Sequence, residues 1–135
     1  MAKTWKDELT LQWNNASQGR VGYACYLTSG KADLSPGATS FPLGTLLNEP
    51  KQNEMATIAL PSPGRVVKAV AGGTIAAGDV VNVQSGVGAG KFAKCTLQAT
   101  YTVKWAWGVA LSAAAADQIF ELLLMPQVAG ITEGA

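Results

Sequence analysis

Alternation between large apolar residues and small or polar residues is the main pattern in the second half of the chain. Between residues 96 and 111 the odd positions include Leu97, Trp105 and Trp107, whereas the even positions are mostly Thr, Ala, Gly, Gln and Lys. A repeat of two residues is typical of a β-strand with one buried face. Because sixteen residues exceed the usual length of a strand, we expect a bulge or break near Gly108.

Further strands are predicted in this half at residues 66–71, 80–84 and 119–125. Pro126 should end the last of these, because proline cannot donate to a sheet ladder. Residues 85–90 are rich in glycine and are predicted to form a hairpin loop. The alanine run at residues 113–116 is too short to form a stable helix by itself.

The first half of the chain has a weaker pattern. Strands are predicted at residues 21–27 and 54–60. Residues 29–31, Ser-Gly-Lys, have the composition of a turn. Residues 41–47 are apolar but contain Pro42 and Gly44, so we expect an edge strand or an ordered loop there.

The N-terminal segment allows two interpretations. Trp5, Leu9 and Trp13 recur at helical spacing, whereas Leu9, Leu11 and Trp13 alternate as in a strand. The two Trp side chains can pack on the chain's own core or on a neighbouring protein, where Trp often concentrates binding energy. We expect deletion of residues 1–15 to leave the domain folded and to weaken attachment to a partner.

These patterns together predict an all-β fold, a compact β-barrel or β-sandwich with an extended or partly helical N-terminal segment. The length of 135 residues corresponds to one domain. We expect an N-terminal arm at residues 1–20, a β domain at residues 21–127 and a C-terminal tail at residues 128–135. No internal repeat is evident in the sequence.

Composition narrows the classes of partner. Only 14% of the residues are charged, against about 25% in an ordinary soluble domain, which suggests a surface covered in part by a partner or by other copies. The net charge is +1 and the basic residues are scattered, so we expect no nucleic-acid binding. No apolar run reaches the roughly 18–20 residues of a membrane helix, and the N-terminus lacks the apolar core of a signal peptide. We therefore expect no membrane association and synthesis in a cytoplasm.

The sequence contains little catalytic chemistry. It has no histidine, the commonest general base and metal ligand, and its nine acidic residues are scattered. Cys25 and Cys95 fit no metal-binding spacing and are predicted to be free thiols. The loop before Lys91 suggests a phosphate-binding loop, but its outer glycines are four residues apart and Phe92 stands where Ser or Thr is required. We predict no enzyme activity, no cofactor and no metal site.

Two small-residue motifs in the second half point to a family. Gly78-Asp79-Val80-Val81 stands at the start of one strand, and Gly108-Val109-Ala110-Leu111 lies in a later one, followed by a turn and a final apolar strand. With these motifs the segment from residue 65 to residue 125 resembles the small capsid cement, or decoration, proteins of tailed bacteriophages, which are encoded beside the major capsid protein. The last turn in that family often has Gly before the acid, whereas here Ala116 precedes Asp117.

The resemblance implies a β-barrel or β-sandwich that trimerises on the outside of a phage head and clamps adjacent major capsid subunits. It implies the major capsid protein and sister copies as partners, and the outer capsid surface as the location after synthesis in the bacterial host cytoplasm. We expect the contacts with capsid or sister subunits to come from large apolar residues without a firm place in the sheet. These are Trp5, Leu9, Trp13, Phe41, Leu43 and Leu46.

Three alternatives stay open. The first is another virion structural subunit on a similar β fold, such as a head-fibre base or a tail-tube subunit. The second is an enzyme such as a glycosidase, which would require a pair of carboxylates in a cleft. The third is a carbohydrate-binding module with Trp105 and Trp107 as its platform, although their place on the predicted apolar face favours core packing.

Overall fold

A computed structural model describes residues 7–95 and 104–129 of the protein. They form two five-stranded antiparallel sheets in a sandwich-like arrangement, which confirms the predicted all-β fold. The helical structure within these ranges is one short 3-10 turn, Gly86–Gly88. The strands in chain order are β1 (Glu8–Gln12), β2 (Ala24–Thr28), β3 (Lys31–Leu34), β4 (Gly44–Leu46), β5 (Met55–Ala59), β6 (Val66–Val70), β7 (Val80–Val83), β8 (Phe92–Lys94), β9 (Lys104–Ala110) and β10 (Ile119–Ala129).

The first sheet has the strand order β1-β5-β4-β2-β3. β2 and β3 form a hairpin in which Thr28 pairs with Lys31. The two loop residues, Ser29 and Gly30, have positive φ angles of 50° and 74°. Positive φ at both positions is the arrangement of a type I′ turn, whose twist matches that of the flanking strands. The predicted turn at residues 29–31 is confirmed.

β4 lies at the centre of this sheet, so the prediction of an edge strand or loop for residues 41–47 is wrong for residues 44–46, whereas residues 41–43 form a loop. It pairs with β2 on one side and with β5 on the other. Pro42 stands before the strand and therefore removes no hydrogen bond from its ladders. Gly44 lets the β5 backbone approach closely, because a Cβ atom at this position would collide with the carbonyl oxygen of Ala59.

From Glu8 to Gln12 the N-terminal segment is a strand, which favours the strand interpretation over the helix for these residues. β1 pairs with β5 along its whole length, from Glu8 opposite Ala59 to Gln12 opposite Met55. Trp13 follows directly and is fully buried. The part from β1 to Trp13 is therefore built into the sheet and its core, so we expect its deletion to destabilise the domain, contrary to the expectation from the sequence. The domain boundaries after residues 20 and 127 stay predictions.

The second sheet has the strand order β6-β10-β9-β7-β8 and contains the strands predicted at residues 66–71, 80–84 and 119–125. The sequence predicts that Pro126 ends the last strand, but β10 continues to Ala129. Leu124 pairs with Gly108 and Gln127 with Ala106, so two residues of β10, including Pro126, stand opposite one residue of β9. A bulge tolerates proline because its extra residue leaves the ladder. The irregularity lies next to Gly108, as the sequence predicts, but its extra residue belongs to β10 and not to the strand in which it was expected.

Gly108 also marks a change in the direction of the β9 side chains. Trp107, before it, is fully buried and packs edge-to-face on Phe92 with ring centroids 5.3 Å apart. After it, Ala110 is fully buried and Leu111 is 45% exposed, so the prediction of one buried face of odd residues is wrong beyond Gly108. The phase change in β9 coincides with the positive φ angle of Gly108, 153°. Residues 96–103 of the predicted strand lie outside the described residues.

The second sheet contains a structural repeat, contrary to the impression from the sequence. β6, the following turn and β7 correspond to β9, the following turn and β10. In each unit a turn amide donates to the alanine at the end of the other unit's first strand. The Gly78 amide donates to the Ala110 carbonyl and the Asp117 amide to the Ala71 carbonyl, both at 2.7 Å. This reciprocal bonding relates the two units by an approximate two-fold axis.

The two turns of the repeat also share a side-chain cap. A carboxylate oxygen of Asp79 accepts a hydrogen bond from the amide of Ala76 at 2.9 Å. In the second turn the amide oxygen of Gln118 accepts from the amide of Ala115 at 3.0 Å. A side-chain oxygen therefore closes each turn in the same way, although the residue type differs.

Asp117 occupies the position that glycine holds in the first turn. Gly78 has a φ angle of 91° and Asp117 a φ angle of 65°. Asp is one of the few residues with a side chain that tolerate positive φ. The comparison with the cement-protein motif, which placed Ala116 at the glycine position, is therefore shifted by one residue in this turn.

Two clusters of buried side chains form the interior. The larger lies in the second sheet and includes Ala24 and Ala59 of the first, and the smaller lies in the first sheet around Trp13. The amide of Ala24 donates to Gly90 at 2.8 Å, and the amide of Val70 donates to Gly22 at 3.3 Å. These bonds join the two sheets through the segment that leads into β2.

Candidate interaction surfaces

The six residues predicted to contact capsid or sister subunits do not form one surface. Trp13 and Leu46 are fully buried in the first sheet, Leu9 and Leu43 are half-buried, and Trp5 lies outside the described residues. Buried side chains cannot serve a partner, and the indole nitrogen of Trp13 already donates to the carbonyl of Ser17 at 2.9 Å. Phe41 is different, because 67% of its surface is exposed.

Phe41 is held by a second aromatic ring. It packs edge-to-face on Trp105 of β9, with ring centroids 5.1 Å apart and an interplanar angle of 75°. The Trp105 amide donates to the carbonyl of Ala38 at 2.7 Å, which ties β9 to the loop between β3 and β4. An exposed ring that is already positioned loses less freedom on binding than a free one. Trp107 is fully buried, so it cannot form an exposed carbohydrate platform with Trp105.

An open cleft of about 630 Å³ lies beside this aromatic pair, since Ala38 and Lys104 both line it. Its other walls come from the loop after β3, the end of β7, the glycine-rich loop and β8. Val87, at the 3-10 turn, is fully exposed on the cleft, and Lys94 and Lys104 bring positive charge to it. The ammonium group of Lys94 also lies 3.8 Å from a carboxylate oxygen of Asp79. We call the set Phe41, Trp105, Val87, Lys94 and Lys104 the cleft surface.

The outward side of the second sheet is a separate apolar surface, which we call the outer face. Four of its side chains form a straight line across four strands, because Val66 pairs with Leu123, Leu123 with Val109 and Val109 with Val80. Val66 is 49% exposed and Val80 39%. These four residues are the apolar row. The outer face also contains Leu111, Ile119 and Met125, together with the charged side chains of Lys68 and Glu121.

The outer face escaped the sequence prediction because its residues alternate with core residues on the same strands. In β6, for example, Val66 and Lys68 point outward while Val67 and Ala69 are buried. The signal that could have found it is the presence of valine and leucine at both phases of the alternation. The register between strands places these residues in one line, and it cannot be predicted from the sequence of either strand alone.

The carboxylates with defined contacts have local structural roles. Asp33 accepts hydrogen bonds from the side chains of Asn14 and Asn15 at 3.1 and 2.8 Å. Asp79 closes a turn, as described above, and Glu54 accepts from the amide of Lys51 at 2.7 Å. Within residues 7–95 and 104–129 no group of three or more Cys, Asp or Glu side chains could hold a metal ion. No helix in these ranges is long and apolar enough to cross a membrane.

The glycine-rich loop is a connection between β7 and β8, as the sequence predicts. The ammonium group of Lys91 lies 2.6 Å from the carboxylate of Asp117. In a phosphate-binding loop, by contrast, the lysine would point into its own loop. This hydrogen bond and the positive charge of Lys91 lower the pKa of Asp117. The main-chain carbonyl of Asp117 also accepts from the guanidinium of Arg20 at 3.1 Å, which links the turn to the segment before β2.

The two cysteines are free thiols in different environments. Cys25 is fully buried in the first sheet, and burial, with a smaller contribution from Asp33, raises its pKa. A buried thiol that resists ionisation is not a nucleophile. Cys95 is half-buried after β8, and its sulfur accepts a weak hydrogen bond from the Asn82 amide at 3.7 Å.

The fold and these surfaces define an all-β protein of the two-sheet type whose most notable exposed features are apolar. No family model and no curated protein matches the chain. Among solved structures it is similar to the N base of the head fibre gp8.5 in bacteriophage phi29, with a TM-score of 0.64. The superposition covers 87% of this chain and 92% of that chain, at 14% sequence identity. The similarity shows a shared fold over most of both chains.

Proposed function

We propose that this chain is a structural protein of a bacteriophage particle that binds the outer surface of the head. It attaches to the major capsid protein, clamps adjacent subunits and so stabilises the shell. The observation that supports a structural role in a phage particle is the similarity of fold to a phage head-fibre base over 87% of the chain. The clamping role itself rests on the resemblance of residues 65–125 to cement proteins, which comes from the sequence motifs.

The cleft surface is the part of the molecule that we assign to the capsid contact. It combines a depression lined by the exposed Val87 and two lysines with an exposed aromatic side chain, Phe41, whose ring partner Trp105 directly follows the lining residue Lys104. Interfaces concentrate their binding energy in such anchors, surrounded by polar residues. A capsid segment with an apolar side chain and an acidic group would complement this surface.

The function is tested on particles that lack the protein. Purified full-length protein should bind them and raise the temperature at which they release DNA, because a ligand that binds only the assembled shell stabilises it by mass action. Phe41→Ala should weaken binding about 30-fold, which corresponds to a hot-spot loss of about 2 kcal/mol. Leu27→Ala is the matched control, since Leu27 is 55% exposed on a strand of the first sheet.

The outcomes separate the role from the surface. If full-length protein neither binds nor protects the particles, the proposed role is wrong. If it protects them and both variants bind equally well, the role stands and the assignment of the cleft surface is wrong. Circular dichroism of each variant establishes that it is folded.

A head-fibre base is the second candidate, and the similarity to the gp8.5 base favours it. Electron microscopy of the virion distinguishes the two roles. A cement protein would appear as compact density that bridges neighbouring capsid subunits, as a trimer at three-fold positions. A fibre base would carry density that continues outward from the head.

A further inference from the structure

We propose that the chain consists of two copies of one five-stranded unit, produced by tandem duplication, whose interiors are interchangeable position by position. Residues 8–60, with the first sheet, form the first unit, and residues 66–124 of the second sheet form the second. When the strands of each unit are numbered from one to five, both sheets have the order 1-5-4-2-3. This repeat spans both sheets and is distinct from the two-fold repeat within the second sheet. The inference concerns the isolated protein and does not depend on the proposed function.

The pairing registers of the two units agree residue by residue. The corresponding pairs, one from each ladder and with the first unit named first, are Glu8–Ala59 and Val66–Leu123, Thr45–Ala59 and Val109–Leu123, Cys25–Gly44 and Val81–Gly108, and Cys25–Leu34 and Val81–Lys94. A slip of one residue in any ladder would break this agreement. At the corresponding glycines, Gly44 and Gly108, a Cβ atom would collide with a main-chain carbonyl oxygen, and the residues that carry these oxygens, Ala59 and Leu123, correspond as well.

The turn that leads into the fifth strand is the same in both units. Asn53 and Asp117 occupy equivalent positions, with φ angles of 70° and 65°. The Asn53 amide donates to the carbonyl of Trp13 at 2.8 Å, and the Asp117 amide donates to the carbonyl of Ala71 at 2.7 Å. The turn caps correspond too, the donor amide and the acceptor side chain being Lys51 and Glu54 in the first unit and Ala115 and Gln118 in the second. Because positive φ is uncommon outside glycine, two such residues at equivalent positions are specific evidence for a repeat.

Each unit is also closed by the same bridge. The residue after the first strand forms a parallel bridge to the third strand, and the amide of the next residue donates to the carbonyl of that bridge partner. The residues concerned are, in this order, Trp13, Ala32 and Asn14 in the first unit and Ala71, Phe92 and Gly72 in the second. Strand order, registers, turns and closing bridges therefore all agree between the units.

The interiors of the two units fill the space at this bridge differently. Trp13 in the first unit and Phe92 in the second are both fully buried, and each is bridged to an alanine, Ala32 or Ala71. The large and the small residue have thus exchanged strands between the units. Paired residues point to the same side of a sheet, so a ring on either strand can occupy the same part of the interior. Such exchanges hide the repeat from a comparison of residue types.

The test builds the arrangement of the second unit into the first and measures stability by urea denaturation of the full chain. In the unmodified chain Ala32→Phe should lower the urea midpoint by about 1 M, because the new ring competes with Trp13 for the same space. The midpoint of a chain with Trp13→Ala should be about 2 M below that of the unmodified chain. In that chain Ala32→Phe should instead raise the midpoint by about 1 M, because the ring refills the cavity as Phe92 fills it in the second unit.

Cys25→Phe is the matched control, because Cys25 is fully buried in the same cluster as Trp13 and its counterpart, Val81, has no ring. It should lower the midpoint both in the unmodified chain and in the chain with Trp13→Ala. If Trp13→Ala alone does not fold by circular dichroism, the measurement is whether Ala32→Phe restores folding and Cys25→Phe does not.

A second site allows an independent test. Gly19, Leu46 and Pro50 of the first unit correspond to Ile75, Ala110 and Ala114 of the second. A Cβ atom on Gly19 would lie 2.5 Å from Cδ1 of Leu46 and 3.0 Å from Cδ of Pro50, whereas Ile75 is buried in a cluster that contains its two alanine counterparts. Gly19→Ile should therefore lower the midpoint of the unmodified chain and raise that of a chain with Leu46→Ala and Pro50→Ala.

The sign of each change decides the outcome. A rise of the midpoint, or a return of folding, on adding Ala32→Phe and Gly19→Ile to their truncated chains supports two equivalent units. The proposal is overturned if either substitution fails to stabilise its truncated chain. It is also overturned if Cys25→Phe stabilises the chain with Trp13→Ala, since any large side chain would then fill the cavity without regard to equivalent positions.

Discussion

Removal of the N-terminal residues is the change that most directly tests how the first sheet is built. The sequence alone suggested a dispensable arm at residues 1–15, whereas the structure places β1 in the sheet and Trp13 in its core. We therefore expect deletion of residues 1–15 to unfold the domain or to leave it marginally stable.

The expected loss of stability follows from the burial of Trp13. Its side chain is 0% exposed, and truncation of a buried Trp to Ala costs about 3–5 kcal/mol in lost burial and cavity formation. Deletion of residues 1–15 also removes the ladder between β1 and β5 and exposes the apolar surface beneath it. Domains of this size are stable by about 5–15 kcal/mol, so the combined loss is comparable with the whole free energy of unfolding.

Urea denaturation followed by circular dichroism measures the effect. With a dependence of about 2 kcal/mol per molar urea, Trp13→Ala should lower the midpoint by about 2 M. Trp13→Phe is the control, with a smaller loss of about 1–2 kcal/mol, because the ring refills most of the space while the hydrogen bond to Ser17 is lost. A chain without residues 1–15 that unfolds at the same urea concentration as the full chain would refute the reasoning.

Two further predictions concern glycine and aspartate positions. Gly108→Ala should destabilise the domain by more than about 3 kcal/mol in urea denaturation, because the new Cβ atom would overlap the β10 backbone, whereas Gly30→Ala, with nothing within 4 Å, should cost about 1 kcal/mol. Equal losses for the two variants would contradict this. The bond to Lys91 lowers the pKa of Asp117 in the folded chain, so its contribution to stability is present above about pH 4 and is lost as the pH falls through the lower folded value. The urea midpoint of the unmodified chain should therefore be higher than that of Asp117→Asn at pH 7, and the two midpoints should converge near pH 2. A difference between the midpoints that does not change with pH would contradict the ion pair.

The repeat in the second sheet explains why a small set of motifs supports the fold. Each turn needs one residue with positive φ and one side-chain oxygen that caps it, and the two units supply these as Gly78-Asp79 and Asp117-Gln118. The reciprocal main-chain bonds then fix each turn on the other unit. A sequence comparison that follows glycine alone misses the second unit, because Asp117 performs the conformational role without being glycine.

The candidate surfaces were predicted only in part. Phe41 was among the expected contact residues and is exposed, in the loop that precedes β4. Trp13 and Leu46 were expected at a contact for the same reason, their uncertain place in the sheet, but they are core residues. The property that separates them from Phe41 is the presence of a neighbouring strand that covers them, which a local pattern does not contain.

The sequence by itself determined the local properties of this protein. Two-residue periodicity gave the strands of the second sheet, Ser29-Gly30 gave the hairpin turn, and the need for irregularity near Gly108 followed from strand length. These features depend on side-chain alternation and backbone sterics, which act between residues close in the chain. The tertiary structure decided what depends on pairing: the central place of β4, the phase change in β9, the burial of Trp13 and the line of apolar side chains on the outer face. A strand's pattern states which residues share a side, and only the register with its neighbours decides whether that side meets the core, water or another protein.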